Sequence, residues 1–295
     1  MLLSRAEMTF DFGGARFDPV RDRAVLGWLT NQFLYGEVAA NQIGEWLYEA
    51  PDLHAARFLA RQAVEELQHV DNFLRIMALI GVEPGPAHPI IRFLVTDMKG
   101  SSWPEHVAMV MAAGEGLVLM ALYALADTLD QPQAVEILKR ALRQEERHVD
   151  FGERETMRVI EGRPGRRRRL LGLSLITLWS VRRLARTMER RLPGESPVMK
   201  HLPAFALAAA ASHELRLQRM GLLDRPTAEL SRWRWLSLVV EGYAGKIAAT
   251  LARVVIGPAR AVGLVRARRL TDTYLTDPAL HVPIDPLDDQ PPART

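Results

Sequence analysis

Apolar residues recur at helical spacing in four long segments of the first 162 residues. A helix-start signal precedes each segment. These signals are Asp18-Pro19, Asp52, the capping-box pattern Ser102-Trp103-Pro104-Glu105, and Gln131-Pro132. The pattern predicts helices over about 18–48, 52–81, 102–129 and 131–162.

The connections between these helices differ in length. Only a few residues separate the first helix from the second and the third from the fourth, whereas 82–101 is a long stretch with three prolines. That stretch is too long for a turn in a bundle, so it predicts a crossover with room for a short helix. The expected fold is all-α: a four-helix bundle of two hairpins, joined by a long crossover between helices 2 and 3.

Additional C-terminal helices are expected after Gly162. A basic helix surrounds the apolar run Leu170–Val181, and two more are predicted near 198–223 and 226–256. The last is amphipathic, and its apolar positions are Trp233, Trp235, Leu236, Val239 and Tyr243. The predicted organisation is a flexible lead-in over 1–17, the bundle over 18–162, a helical extension over 163–270 packed on or beside the bundle, and a polar, proline-rich tail over 271–295.

Composition narrows the classes of function. The 295 residues include no cysteine, which excludes disulfides, thiolate nucleophiles and cysteine-ligated iron–sulfur clusters. Any electrons used by this protein must therefore come from outside. Residues 1–16 lack an apolar signal-peptide core, so we expect an untargeted, cytoplasmic protein.

A repeated motif carries the candidate chemistry. Glu66 precedes His69 by three residues, and Glu145 precedes His148 by three, which puts each pair on one helical face. One further glutamate lies upstream of each pair: Glu37, 29 residues before Glu66, and Glu115, 30 residues before Glu145. In two hairpins, these intervals bring four carboxylates and two imidazoles to similar heights.

Metal binding is the natural interpretation of this set. Four buried carboxylates repel one another and are costly to desolvate, whereas two divalent ions cancel their charge. Oxygen ligands with one imidazole per ion suit iron or manganese. Gly114 and Gly116 flank Glu115; they indicate either space beside the metals or a close contact between helices.

Two hairpins with Glu and Glu-x-x-His in each resemble the ferritin-like di-iron carboxylate superfamily over about residues 19–162. The resemblance implies two iron ions, with manganese as the alternative metal, and makes Glu66 and Glu145 the bridging carboxylates. The implied ligands are Glu37, Glu66, His69, Glu115, Glu145 and His148. No catalytic residue beyond these ligands is implied.

Within that superfamily, the intervals and the Arg147-His148 pair are more similar to bacterial di-iron monooxygenases and acyl-CoA ring epoxidases. Those enzymes usually have aspartate before the glutamate of Glu-x-x-His, where this chain has Glu65 and Gln144. The resemblance implies an oxidase or oxygenase that uses dioxygen to hydroxylate, epoxidise, N-oxygenate or desaturate a small organic or CoA-type substrate. A separate ferredoxin or reductase would supply the electrons, and a homodimer is a further option.

Two other functions stay open: a ferroxidase or peroxide-detoxifying protein using the same ligands, and a di-iron hydroxylase that modifies tRNA. The basic segment 163–191 bears on the second, because it could contact phosphate groups, RNA or an anionic membrane surface. Its apolar run of about twelve residues is too short to span a bilayer. The expected localisation is therefore cytoplasmic, with peripheral membrane contact as an option.

Overall fold

A computed structural model describes residues 1–40, 44, 46–92, 102–191 and 196–261. This part of the chain is mostly helical and contains no β-strand, apart from one isolated parallel bridge between Phe17 and Leu129. The all-α prediction is therefore confirmed. The helices are α1 Arg5–Met8, α2 Arg23–Ala40, α3 Leu53–Leu79, α4 Pro89–Arg92, α5 Trp103–Glu105, a π-helical segment His106–Gly114, α6 Glu115–Thr128, α7 Pro132–Ile160, α8 Pro164–Arg191, α9 Leu202–Arg219 and α10 Arg232–Ala261, with 3₁₀ turns at Met199–His201 and Thr227–Glu229.

Local capping explains why α3 and α7 begin and end where they do. The Asp52 carboxylate accepts a hydrogen bond from Ala55 N at 2.8 Å, and the Gln131 side chain accepts from the first free amides of α7. Gly81 and Gly162 follow these helices with φ values of +68° and +64°, a region that glycine adopts without steric cost. The predicted boundaries of these two helices are confirmed.

The first and third predicted helices differ in detail from the structure. Asp18 does not start a helix at that residue: its carboxylate accepts from Val20 N and Arg21 N within a separate turn, and α2 begins five residues later. Tyr48, the predicted end, lies in a turn. The Ser102 side chain makes no capping bond, so the capping-box prediction was wrong, although a helix does begin at the next residue.

The crossover includes the short helix α4, as expected, while its remainder over 93–101 lies outside the described residues. The described residues also do not include the predicted end of the basic helix at Pro193-Gly194 or the predicted tail over 271–295.

Four long helical stretches surround the candidate ligands: α2, α3, the run from α5 through α6, and α7. Helix α3 contacts α2 and α7, and α7 also packs along the π-helical segment and α6. Gly152 permits a close approach between α7 and the π-helical segment, because a Cβ there would lie 2.6 Å from Ala112 N. Helix α8 then packs against α9, α10 and the π-helical segment, which places the C-terminal helices beside the ligand-bearing ones.

The N-terminal residues pack against the helices, in contrast to the predicted flexible lead-in. Leu3, Met8 and Phe12 are buried in the main hydrophobic core. Leu2 N donates a hydrogen bond to the Glu153 carboxylate at 2.6 Å. The apolar residues of this short N-terminal stretch show no periodic spacing, so the sequence did not predict their burial. They are buried because the other helices offer an apolar surface on which they can pack.

The continuous helix Trp103–Thr128 is, within the described ranges, the one helix long and apolar enough to cross a membrane, with a mean hydropathy of 1.8. More than half of its most apolar window is buried inside the fold, and it carries Glu115. Packing of this kind is typical of a core helix.

Candidate metal centre

The six predicted ligand residues converge from four helical stretches. Glu37 comes from α2, Glu66 and His69 from α3, Glu115 from the first residue of α6, and Glu145 and His148 from α7. Their ligand atoms form two groups, each with all atoms within 4.8 Å of one another. The first group is Glu37, Glu66, His69 and Glu145, and the second is Glu115, Glu145 and His148.

Glu66 and Glu145 each face both histidines, and each turns one carboxylate oxygen toward His69 and the other toward His148. Glu66 Oε2 lies 3.5 Å from His69 Nδ1, while its Oε1 lies 3.3 Å from His148 Nδ1. Glu145 Oε1 lies 3.1 Å from His69 Nδ1, and its Oε2 lies 3.7 Å from His148 Nδ1. Each of these two carboxylates therefore lies between the two imidazole rings.

The outer two glutamates are less alike. Glu37 is buried, and its Oε2 lies 3.3 Å from His69 Nδ1. Glu115 is half-buried as a residue, but its Oε2 atom is inaccessible to solvent and has no hydrogen-bond partner among the described residues. A buried carboxylate oxygen without a donor is costly, and a cation would satisfy it.

Each histidine is oriented by a residue of the opposite helix. His148 Nε2 donates to Glu65 Oε2 at 2.7 Å, and His69 Nε2 donates to Gln144 Oε1 at 2.9 Å. Glu65 and Gln144, the residues that directly precede Glu66 and Glu145, thus each bond to a histidine of the other helix. One histidine is held by a charged carboxylate and the other by a neutral amide.

These outer hydrogen bonds determine the tautomer of both rings. Because carboxylate and amide oxygens only accept, each Nε2 carries a proton, and each Nδ1 points at the carboxylate cluster. A neutral imidazole would aim an Nδ1 lone pair at carboxylate oxygens, which is repulsive unless a proton or a metal ion lies between them. The donor set and its geometry therefore fit divalent metal ions.

The charges of the cluster are strongly coupled. Burial acts to lower the pKa values of His69 and His148, but hydrogen bonds to the glutamates outweigh it and raise both. Burial likewise acts to raise the pKa of Glu66, yet hydrogen bonds with the histidines hold it below its ordinary value. At Glu37 and Glu115 burial prevails, and it raises both pKa values.

Glu65 belongs to a charged network at the surface of the cluster. Its Oε1 accepts from Arg147 at 2.7 Å and from Arg61 at 3.0 Å. Burial acts to raise its pKa, but the bonds from His148 and the two arginines outweigh it and lower the pKa to about 2. Glu65 is therefore ionised at neutral pH, and its negative charge lies behind His148.

Gln62 is a residue of the site that the sequence did not indicate. Its Nε2 donates to Glu115 Oε1 at 3.0 Å and to Glu66 Oε1 at 3.2 Å, and it connects the two carboxylates. The available signal was its position, one helical turn before Glu66 on the same face. An amide at that position has many structural uses, so the spacing alone would not have singled it out.

Gly116 serves a different purpose from the proposed space beside the metals. A Cβ at Gly116 would overlap the guanidinium of Arg216, which is buried and ion-paired with Glu153 at 2.9 Å. The glycine therefore accommodates a cation from α9, as the alternative of a close contact between helices suggested. A Cβ at Gly114 would lie 3.1 Å from Met109 O of its own helical segment and within 4 Å of no atom of another described helix, so none of these helices requires a glycine there.

Aromatic rings border one side of the centre. Phe58 lies edge-on to the His148 ring at 6.2 Å between centroids and stacks on Phe151 at 3.8 Å. Trp103 in turn lies 6.5 Å from Phe151. An apolar wall beside charged ligands lowers the local dielectric and strengthens their interactions with a bound cation.

Comparison of the chain with protein-family models, with curated proteins and with solved structures finds no match. The described part of the chain is all-helical and contains a buried cluster of glutamates and histidines that could hold metal ions.

Proposed function

We propose that this chain is a ferritin-like di-iron oxidoreductase that uses dioxygen to oxidise a small organic substrate, with manganese as the alternative metal. The observation that carries the proposal is that Glu66 and Glu145 each direct one oxygen toward each of two histidines. A single metal ion would need only one histidine with the glutamate oxygens that face it. Here two histidines each face an oxygen of both glutamates, which supports a two-metal centre.

Each side chain has a definite role in this proposal. Glu66 and Glu145 would hold two ions close together, and His69 with Glu37, and His148 with Glu115, would complete the two positions. Glu65 and Gln144 keep both imidazoles oriented with Nδ1 toward the ions. When bound, two ferrous ions supply the electrons for reducing dioxygen.

The surroundings of the cluster favour chemistry on an organic molecule. The Phe58 and Phe151 pair beside His148 provides an apolar surface that excludes water and could contact an apolar substrate. The chain contains no cysteine for a thiolate redox centre, so electrons for repeated turnover would come from a separate ferredoxin or reductase.

The test is metal content combined with the optical response of the anaerobically reduced protein to oxygen. We expect about two irons per chain in the wild type and an oxygen-dependent near-ultraviolet band. Both should be lost in Glu145→Ala and kept in the matched control Glu146→Ala, because Glu146 bonds to Tyr123 OH rather than to the cluster.

Three outcomes discriminate between the candidate functions. Failure of the wild type to bind iron or manganese after reconstitution would refute the proposal. Repeated turnover of Fe(II) without oxidation of any organic compound would favour a ferroxidase instead. Salt-sensitive binding of tRNA would favour the tRNA-modifying hydroxylase.

A further inference from the structure

The outward face of α10 is apolar along most of the helix. Its members are spaced three or four residues apart and all are exposed: Trp233, Leu236, Val240, Ala244, Ile247 and Leu251. We call these six residues the α10 stripe. At 1.5 Å per residue the stripe is about 27 Å long. Trp233, at its start, is 81% exposed.

The opposite face of α10 is already packed. Leu238 is buried, and Gly172 of α8 meets its carbonyl so closely that a Cβ at Gly172 would overlap it. Gly242 likewise lies against the backbone of α8. A surface helix that packs one face on its own protein normally presents polar residues on the other face. An apolar outward face such as the α10 stripe is therefore unusual.

The net charge of the surrounding chain indicates what kind of partner would bind the α10 stripe. Residues 163–261 contain 19 arginines and lysines against 6 acidic residues, a net charge of +13. Residues 1–162 contain 15 basic and 24 acidic residues, a net charge of −9. The exposed Arg232 and Arg234 flank Trp233 at the start of the stripe. An apolar stripe on a strongly basic part of the chain is typical of helices that lie in the plane of an anionic bilayer.

We propose that α10 lies on an anionic membrane surface, with the α10 stripe in the headgroup and acyl boundary and the surrounding arginines on the lipid phosphates. A second copy of the chain is disfavoured as the occupant, because pairing through this face would bring two regions of charge +13 together. The inference is independent of the metal centre. In this proposal, α10 supplies the apolar surface that enters the membrane. The basic segment 163–191, which the sequence predicts to contact phosphates, RNA or a membrane, supplies positive charge.

The test is cosedimentation of the full chain with phosphatidylcholine vesicles, with and without a quarter of phosphatidylglycerol. We expect binding only when the anionic lipid is present, with weakening at high salt. The stripe variant Val240→Gln with Ile247→Gln should bind about tenfold more weakly or worse. The matched control Val20→Gln with Leu207→Gln should bind like the wild type; the four replaced side chains are 57%, 60%, 81% and 52% exposed, in that order.

Trp233 provides a second readout that does not depend on sedimentation. On adding anionic vesicles, the tryptophan emission of the wild type should shift to the blue, and Trp233→Phe should lose most of the shift while it still binds. Equal binding to both vesicle types, or unchanged binding of the stripe variant, would overturn the proposal. So would the absence of any vesicle binding, or a wild-type dimer that the stripe variant converts to a monomer.

Discussion

The different partners of His148 and His69 predict that the two proposed metal positions differ in affinity. His148 is backed by a charged carboxylate at 2.7 Å, and His69 by a neutral amide at 2.9 Å. A carboxylate partner makes the imidazole a better donor to a cation than an amide does, and losing such a partner typically costs 10–100-fold in metal affinity, about 1.4–2.7 kcal/mol. The ion beside His148 should therefore bind first and more tightly.

Glu65→Gln tests this directly. The amide keeps an oxygen that can accept from His148 Nε2, but it removes the negative charge that also binds Arg61 and Arg147. We expect the tighter of two stepwise Mn²⁺ constants to weaken by roughly 10–100-fold. The converse change, Gln144→Glu, should strengthen the weaker constant, and the double exchange should reverse the order of filling.

Anaerobic calorimetric titration with Mn²⁺ measures both constants, and electron paramagnetic resonance counts the ions that interact. Asp71→Asn is the matched control: it removes the same charge from an exposed position of α3 that bonds to neither histidine. If Glu65→Gln and Gln144→Glu both leave the two constants within about twofold of wild type, the reasoning from the outer hydrogen bonds is refuted.

Two further predictions concern stability. Gly152→Ala should lower the free energy of unfolding by roughly 1–3 kcal/mol, because its Cβ would lie 2.6 Å from the backbone at Ala112, which cannot yield as a side chain can. Gly36→Ala, whose Cβ would meet nothing within 4 Å, should raise it by about 0.5–1 kcal/mol. Chemical denaturation of both variants should give these opposite signs, and equal effects would contradict the packing argument. Burial lowers the pKa of His106 to about 3, so below pH 6.5 the unfolded chain takes up a proton that the folded ring refuses. Between pH 7 and pH 5 the wild type should therefore lose about 2 kcal/mol more stability than His106→Phe, which keeps the stacking on Trp46; an identical loss in both proteins would rule this out.

Much of the candidate site could be predicted from residues within single helices. The spacing of Glu66 and His69, and of Glu145 and His148, is a local property of an α-helix, so the sequence alone places each pair on one face. The matched intervals to Glu37 and Glu115 then required only two hairpins of similar length. The structure brings all six side chains together.

Other parts depended on contacts between helices. Gln144 bonds to a histidine of α3, and Glu65 to one of α7, so neither role is visible from its own segment. Gly116 makes room for Arg216, which lies 100 residues later in the chain. Such contacts depend on the rotation and height of one helix against another, and no periodic pattern encodes these.

Helix α10 shows the same limit most clearly. Its sequence is amphipathic, and Trp233 and Leu236 were predicted on its apolar face, yet both are exposed while Leu238 is buried against α8. The sequence by itself determined that α10 is a helix with many apolar residues, because these recur at helical spacing. Only the tertiary structure decided which face is covered, because the backbones of α8 and α10 approach closely where Gly172 and Gly242 face each other.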